Sequence, residues 1–93
     1  MVIGLLILRI YIPDVDSLKG RRGVVKSLKE RIRGRFNVSI AESEDDSLRN
    51  KCSLAVVHVS NESAFTNSAL SKVVNFVEQS KKAVIEDYSL TLL

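Results

Sequence analysis

An extended apolar run at the start of the chain limits the choice of fold more than any other segment. Residues 2–12 are mostly Val, Ile and Leu, and Pro13, which cannot donate to a sheet ladder, closes the run. Its uninterrupted apolar stretch stops at Arg9, far short of the ~20 residues that a membrane helix needs, and no basic segment precedes it. We therefore expect a β-strand here, and neither a membrane span nor a signal peptide.

A first helix is predicted after this strand. Ser17 offers an N-cap behind a turn at residues 13–16, and Gly34 offers a C-terminal glycine. Between them, apolar side chains recur at helical spacing on one face, at Leu18, Val24, Val25, Leu28 and Ile32. Residues 36–41 then alternate between apolar and polar or small side chains, which is typical of a half-buried strand.

The remaining residues predict a hairpin, a strand, a second helix and a last strand. Residues 43–51 are polar and acidic, while residues 52–59 and 83–92 are rich in strand-forming side chains. Ser60 and Asn61 are suitable caps for the second helix, and Lys81 and Lys82 suit the negative end of its dipole. Its apolar face is predicted to hold Phe65, Ala69, Val73, Phe76 and Val77.

The resulting order, β-α-β-β-α-β, predicts the fold class. It is the order of the α+β, ferredoxin-like domain, a four-stranded antiparallel sheet with two helices on one face. A chain of 93 residues leaves no room for a second hydrophobic core, so we expect a single domain over residues 1–93.

Charge is distributed unevenly along the chain. The formal net charge is +3, but residues 1–35 carry nine basic and three acidic side chains, whereas residues 36–93 carry five and eight. Eight basic residues lie in or just beyond the predicted first helix: Lys19, Arg21, Arg22, Lys26, Lys29, Arg31, Arg33 and Arg35. Five of these step by three and four residues and form one line along the helix, called here the basic stripe: Lys19, Arg22, Lys26, Lys29 and Arg33.

Three interpretations of the basic stripe remain open. In the first, the stripe is only a solvated helix face, since Lys and Arg favour helices and cover apolar surface with their stems. Alternatively, it binds a polyanion whose phosphates pair with the cations, or it meets acidic protein surface such as residues 42–46 of a second copy. Solvated faces usually alternate the two signs of charge, and here Glu30 alone interrupts the cations, so the polyanion interpretation stands level with the first.

Two glycines enclose Arg21 and Arg22 near the start of this helix. Gly20 and Gly23 have the GxxG spacing of the nucleotide-clamping loops of KH domains, but such a loop joins two helices, whereas this one follows a strand. Each glycine costs about 1 kcal/mol relative to alanine inside a helix. We therefore expect a frayed first turn, and the roles of the two glycines stay open.

The sheet face away from the predicted helices is expected to carry Leu5, Ile7, Arg9 and Tyr11. RNA-recognition motifs of this topology stack bases on aromatic side chains of that face, but residues 52–59 hold none. We therefore do not expect a base-stacking protein of that kind. The apolar character of the face instead predicts self-association, sheet against sheet, into a homodimer or larger assembly.

The sequence holds no motif for catalysis or for a cofactor. It lacks a GxSxG elbow, a phosphate-binding P-loop and a GxGxxG turn. The single Cys52 cannot form an internal disulfide, it cannot complete a zinc site with His58 alone, and the carboxylates at residues 42–46 lack the spacing of a cation-binding loop. We expect a reduced, cytoplasmic protein that is not an enzyme and holds neither metal nor cofactor.

A distinctive set of residues lies in the first helix and the strand after it: Ser17-Leu18-Lys19, Arg22, Lys26-Ser27-Leu28-Lys29, Arg31 and Phe36-Asn37-Val38-Ser39 through Glu42. In these residues the chain resembles the YlxP-like proteins, a family of small bacterial proteins of unknown function. Pro13, Ser60-Asn61 and residues 73–77 also fit, so the resemblance runs nearly from end to end. Gly20 and Gly23 depart from it, because charged residues are common there in the family, and an acid at position 20 would complete a capping box with Ser17.

The resemblance implies a ferredoxin-like fold, a bacterial cytosolic setting and an RNA-related role, because such genes lie among those for translation and ribosome maturation in some bacteria. The leading hypothesis is a module that binds structured RNA or ribosomal particles through the basic stripe, with Arg21, Arg31 and Arg35 at its flanks. The alternative is a homo-oligomeric interaction protein whose basic helix pairs with acidic protein surfaces.

Overall fold

A computed structural model of the chain describes residues 1–13, 17–43 and 50–93. The elements in chain order are β1 (Val2–Tyr11), α1 (Leu18–Arg35), β2 (Ser39–Glu42), β3 (Lys51–Ser60), α2 (Ser63–Glu78) and β4 (Val84–Leu92). The predicted order of elements is confirmed. Most of the predicted turn at residues 13–16 and of the predicted hairpin at residues 43–51 lies outside the described residues.

The four strands form one sheet in the order β2-β3-β1-β4, and every neighbouring pair is antiparallel. The ten residues of β1 therefore lie between β3 and β4, with Leu8 opposite Leu54 on one side and Tyr88 on the other. Because each helix connects two strands that are separated by a third, the arrangement is the split βαβ of the ferredoxin-like fold. The predicted fold class is confirmed.

The hydrophobic core lies between one face of this sheet and the two helices. Alternate residues of β1 point into it, and Leu6, Leu8 and Ile10 are almost completely buried. The core is completed by Leu54 and Val56 of β3, by Val25, Leu28 and Ile32 of α1, and by Leu70, Val73 and Val77 of α2. Neither of the two described helices packs against the opposite face of the sheet. The α1 helix is anchored along one side, and most of its basic residues lie at the surface.

The ends of α1 agree with the prediction at the first turn and differ at the last. Ser17 is the N-cap, and its Oγ accepts a hydrogen bond of 3.0 Å from the backbone N–H of Gly20. The helix continues through Gly34 to Arg35, and the backbone N–H of Phe36 donates to the carbonyl of Ile32 at 2.9 Å. The predicted strand at residues 36–41 is therefore shorter, since Phe36 caps the helix and β2 begins at Ser39.

The prediction for α2 is wrong at both ends and in part of its apolar face. The N-cap is Glu62, whose side chain makes no capping hydrogen bond, and Lys81 and Lys82 lie beyond the helix rather than in its last turn. Phe65 is 61% exposed, because the neighbouring Thr66 takes the buried position. The buried face is shifted by one residue and consists of Thr66, Leu70, Val73, Val74 and Val77.

Candidate nucleic-acid interface

The basic stripe runs along the surface of α1, and its three N-terminal members are the most available. Lys19, Arg22 and Lys26 are exposed, and none of them forms an ion pair with a carboxylate of the described residues. All three lie on turns whose opposite side, at Val25 and Leu28, is held in the core. The packing of α1 therefore fixes the backbone while these cationic side chains stay in water.

A groove of about 770 Å³ joins most of the stripe to the end of β2. The described residues that line it are Arg21, Arg22, Lys26, Lys29, Glu30, Arg33, Glu42 and Ser43. Five of these eight described side chains are cationic and two are carboxylates, so the described part of the lining carries a positive excess. Of the predicted stripe, only Lys19 lies outside this lining.

The two C-terminal members of the stripe also have structural partners. The Nζ of Lys29 lies 3.7 Å from Oε1 of Glu42, and the Nη2 of Arg33 donates to the carbonyl oxygen of Ile40 at 3.0 Å. Both contacts tie the second half of α1 to β2. An anion in the groove would compete with Glu42 for Lys29, whereas it would meet Arg22 and Lys26 without such competition.

Arg21 does not lie at a flank of the stripe in the way that the sequence predicted. Its side chain is 11% exposed, its Nη1 lies 3.6 Å from Oε2 of Glu42, and the same nitrogen donates to the carbonyl oxygen of Lys51 at 3.3 Å. It takes a buried position in the first turns of α1, while Leu18, which was predicted to be buried, is 47% exposed. Arg21 is thus a structural link between α1, β2 and β3.

Arg31 and Arg35 lie on the other side of α1, toward α2. Both guanidinium groups pack on the ring of Phe76, with their central carbons 5.5 and 5.4 Å from its centroid. The same ring meets Phe36 edge to face at 5.8 Å. The two arginines remain exposed, so they flank the helix opposite the basic stripe rather than extend it.

Sequence reasoning missed three further cations on this side. Lys72, Lys81 and Lys82 lie in or beyond α2 and, with Arg31 and Arg35, line the hollows between the two helices. Lys81 and Lys82 had been assigned to a helix terminus, which concealed their place beside α1. The available signal was a pair of adjacent lysines in a segment that carries no other charge between Glu78 and Glu86.

The open face of the sheet carries the predicted residues of β1. Leu5, Ile7 and Tyr11 are half-buried and Arg9 is exposed. At one end of this face Ile3 lies opposite Val59, and these side chains are 37% and 53% exposed. The face is therefore apolar near Ile3 and more polar near Arg9, which lies opposite Ser53 and Asp87.

Neither Cys52 nor His58 takes part in the candidate interface. Cys52 is a buried residue of the core, and His58 is buried with its Nδ1 2.9 Å from Oγ1 of Thr66. Glu42 faces Arg21 and Lys29, whereas residues 44–46 of the acidic segment are outside the described positions. In the described part of the chain, no group of three or more metal-ligating side chains lies together, and neither helix is long and apolar enough to cross a membrane.

Comparison with known proteins assigns the chain to a family. The profile of a family described as "Protein of unknown function (DUF503)" matches residues 3–90. The chain belongs to the DUF503 family. It is also 32% identical over 65 residues to the uncharacterized protein YlxP of Bacillus subtilis (strain 168). The aligned region covers 70% of this chain and 71% of that protein. The predicted resemblance to the YlxP-like proteins is confirmed.

A solved structure supports the fold independently of sequence. The crystal structure of SnoaB, a cofactor-independent oxygenase from Streptomyces nogalater, superposes with a TM-score of 0.50, covering 99% of this chain and 90% of that one. The sequences are 9% identical. At this level the likeness concerns the fold alone, since one fold carries many unrelated functions.

Proposed function

We propose that this protein is a non-enzymatic module that binds structured RNA, within ribosomal particles or free of them, through the basic stripe on α1. Arg22 and Lys26 make the principal phosphate contacts, Lys19 extends the surface, and Lys29 and Arg33 contribute from the far end of the groove. Arg21 is left out of the predicted set because its guanidinium is buried beside Glu42. We treat Arg31 and Arg35 separately because they face α2.

The observation that carries the proposal is the exposure of Arg22 and Lys26 without carboxylate partners among the described residues. Both are exposed, both line the same groove, and neither has a carboxylate partner among the described residues. Like charges four residues apart on a helix repel each other, and the nearest carboxylate along the helix, Glu30, forms no ion pair with either cation in the described fold. Phosphate groups would supply the missing negative charge and release the counterions that these cations otherwise hold.

The surface favours recognition of charge and shape over recognition of bases. The described lining of the groove contains no aromatic side chain on which a base could stack. Lysine and arginine contacts to phosphates set position and affinity but carry little sequence information. We therefore expect affinity for folded RNA with weak sequence preference and a steep dependence on salt.

A filter-binding titration against purified ribosomal RNA at two salt concentrations tests this proposal. Neutralising two phosphate contacts in Arg22→Gln/Lys26→Gln should weaken binding by at least about tenfold at low salt and reduce the log–log salt slope by about two. The matched control is Lys51→Glu, which changes the net charge by the same amount at a surface residue paired with Glu86.

Comparison of the double variant with the control distinguishes RNA binding at the basic stripe from attraction by net charge alone. If the control loses as much affinity as the double variant, binding depends on net charge alone and the proposed surface is wrong. If the native protein does not bind ribosomal RNA at low salt, the RNA proposal itself is wrong, and an acidic protein partner for the stripe becomes the better hypothesis.

A second candidate function, self-association, is favoured by the apolar end of the open sheet face. Ile3 and Val59 are exposed and lie directly opposite each other, beside the half-buried pair Leu5 and Val57. A sheet face of this kind is stabilised when a second copy covers it. Sedimentation equilibrium at tens of micromolar should show a dimer that Val59→Lys dissociates, and a native protein that is monomeric there would contradict this candidate.

A further inference from the structure

A second set of cations lies between the two helices, on the side of α1 opposite the basic stripe. Two hollows follow this seam, one of about 530 Å³ and one of about 280 Å³, and Gln79 lines both. Their cationic lining residues, called here the seam cations, are Arg31, Arg35, Lys72, Lys81 and Lys82. No carboxylate lines either hollow among the residues that the structure describes.

The seam cations have no partner of opposite charge among the residues that the structure describes. Within residues 1–13, 17–43 and 50–93, none of the five forms an ion pair. Arg31 and Arg35 are one helical turn apart and share the ring of Phe76, which holds two like charges close together. The ring fixes their guanidinium groups without neutralising them. A pair of positioned arginines is the arrangement that recognises phosphate well.

We infer that the seam is a second phosphate-binding track, and that the RNA bound by this protein is double-stranded, with one backbone on each side of α1. The inference rests on the proposed function, because it takes the basic stripe as the first track. Lys26 and Arg31 are five residues apart, about 140° around the helix, so the two tracks lie on opposite flanks. Their separation is set by the helix and its side chains, about 10–12 Å across.

A duplex fits two such tracks better than a single strand does. A single strand has one backbone, and proteins that bind it commonly stack its bases on aromatic side chains between the charges. Here the surface of α1 between the tracks is formed by Gly23, Ser27, Glu30 and Gly34, with no aromatic residue. A Cβ at Gly23 or at Gly34 would meet no atom within 4 Å, so this surface is low and unobstructed.

Double-stranded RNA presents a matching surface. Its minor groove is wide and shallow, displays 2′-hydroxyl groups and is bordered by a phosphate backbone on each side. A low helix surface with Ser27 and Glu30 at its centre can approach the hydroxyl groups, while the cations on both flanks meet phosphates. Recognition of this kind depends on shape, which agrees with the absence of aromatic side chains from the described lining of the groove and of the larger hollow. The smaller hollow is lined by Phe36 and Phe76, and the Phe76 ring already packs against Arg31 and Arg35.

Fluorescence anisotropy with two labelled RNAs tests the inference. One is a duplex of about 20 base pairs, long enough to span successive grooves, and the other is one of its strands alone, chosen to be unstructured. The native protein should bind the duplex at least about tenfold more tightly than the strand. Lys81→Gln/Lys82→Gln should weaken duplex binding by at least about tenfold at low salt and reduce the salt slope by about two. Lys51→Glu is again the charge-matched control.

Failure of the inference is distinguishable from failure of the proposed function. If Arg22→Gln/Lys26→Gln loses binding while Lys81→Gln/Lys82→Gln binds as the native protein does, the stripe binds RNA and the second track is wrong. Equal affinity of the native protein for duplex and single strand would also overturn the second track. No binding of either RNA by the native protein would remove the proposed function and this inference together.

Discussion

Oε2 of Glu42 lies 3.6 Å from Nη1 of Arg21, and this pair links the end of β2 to the first turns of α1. The same carboxylate lies 3.7 Å from Nζ of Lys29 through its other oxygen. Glu42 therefore holds two cations of α1 against the sheet. Because the Arg21 side chain is 11% exposed, the loss of its carboxylate would leave a nearly buried charge without this partner.

Glu42→Gln should lower the free energy of unfolding by about 1–2 kcal/mol, between the ranges for surface and buried ion pairs. Urea denaturation at neutral pH measures the change. Glu86→Gln is the matched control, since Glu86 pairs with Lys51 at 3.2 Å but both side chains are more than 40% exposed. Its effect should stay within about 0.5 kcal/mol. Equal losses in the two variants would show that Glu42 is only a surface partner.

Gly23→Ala should stabilise the protein. Gly23 lies inside α1, and a Cβ there would meet nothing within 4 Å, so alanine adds helix propensity without steric cost. We expect a gain of about 0.5–1 kcal/mol, measured by urea denaturation. A loss of stability on this substitution would mean that the backbone at Gly23 is not helical in solution.

Gly4→Ala should have the opposite effect, because Gly4 lies on β1 where α2 crosses the sheet. A Cβ would lie 2.5 Å from Cγ2 of Thr66 and 2.8 Å from Cδ1 of Leu70, so these side chains, or the helix that carries them, must shift. Overpacking of this kind costs about 1–3 kcal/mol. The same urea titration that shows a gain for Gly23→Ala should show this loss, and a neutral result would indicate that α2 packs more loosely there.

Sequence patterns predicted the order of elements because two periods, two residues in strands and 3.6 in helices, are visible without tertiary information. They failed where a polar side chain took a core position. Arg21 precedes Val25 by four residues and Leu28 by seven, so helical spacing alone places it on the buried face. Its charge argued against that position, and Glu42, which makes the position acceptable, lies on another element.

A polar side chain in a core position also accounts for the error in the predicted buried face of α2. Hydrophobicity favours burial of Phe65, but Thr66 is fully buried because His58 and Ser60, from β3, meet its hydroxyl group. The position of Lys81 and Lys82 depended on where α2 ends, which sequence patterns locate least well. The basic stripe was predicted because it lies within one helix. The seam cations come from α1, from α2 and from the segment after α2, which only the fold brings together.

Thr66→Val should destabilise the protein although it preserves the shape of the side chain. The hydroxyl lies 2.9 Å from Nδ1 of buried His58 and 2.6 Å from Oγ of Ser60, so its removal leaves a buried imidazole nitrogen without this partner. We expect a loss of about 1–3 kcal/mol in urea denaturation. Thr66→Ser, which keeps the hydroxyl and loses a methyl group, is the comparison. A smaller loss for valine than for serine would show that packing rather than hydrogen bonding dominates at this position.

Glu30→Gln should strengthen RNA binding if α1 lies against phosphates. Glu30 lines the same groove as Arg22 and Lys26, and it has no ion-pair partner among the described residues. Its carboxylate opposes the approach of a polyanion, so its neutralisation should tighten binding by about two- to fivefold at low salt, and less at high salt because screening weakens the repulsion.

Glu86→Gln is the control, since it changes the net charge equally on β4 and should leave the affinity unchanged. Filter binding at two salt concentrations measures both variants. If Glu30→Gln instead weakens binding at both salts, its carboxylate accepts a hydrogen bond from the RNA, and the predicted repulsion is wrong.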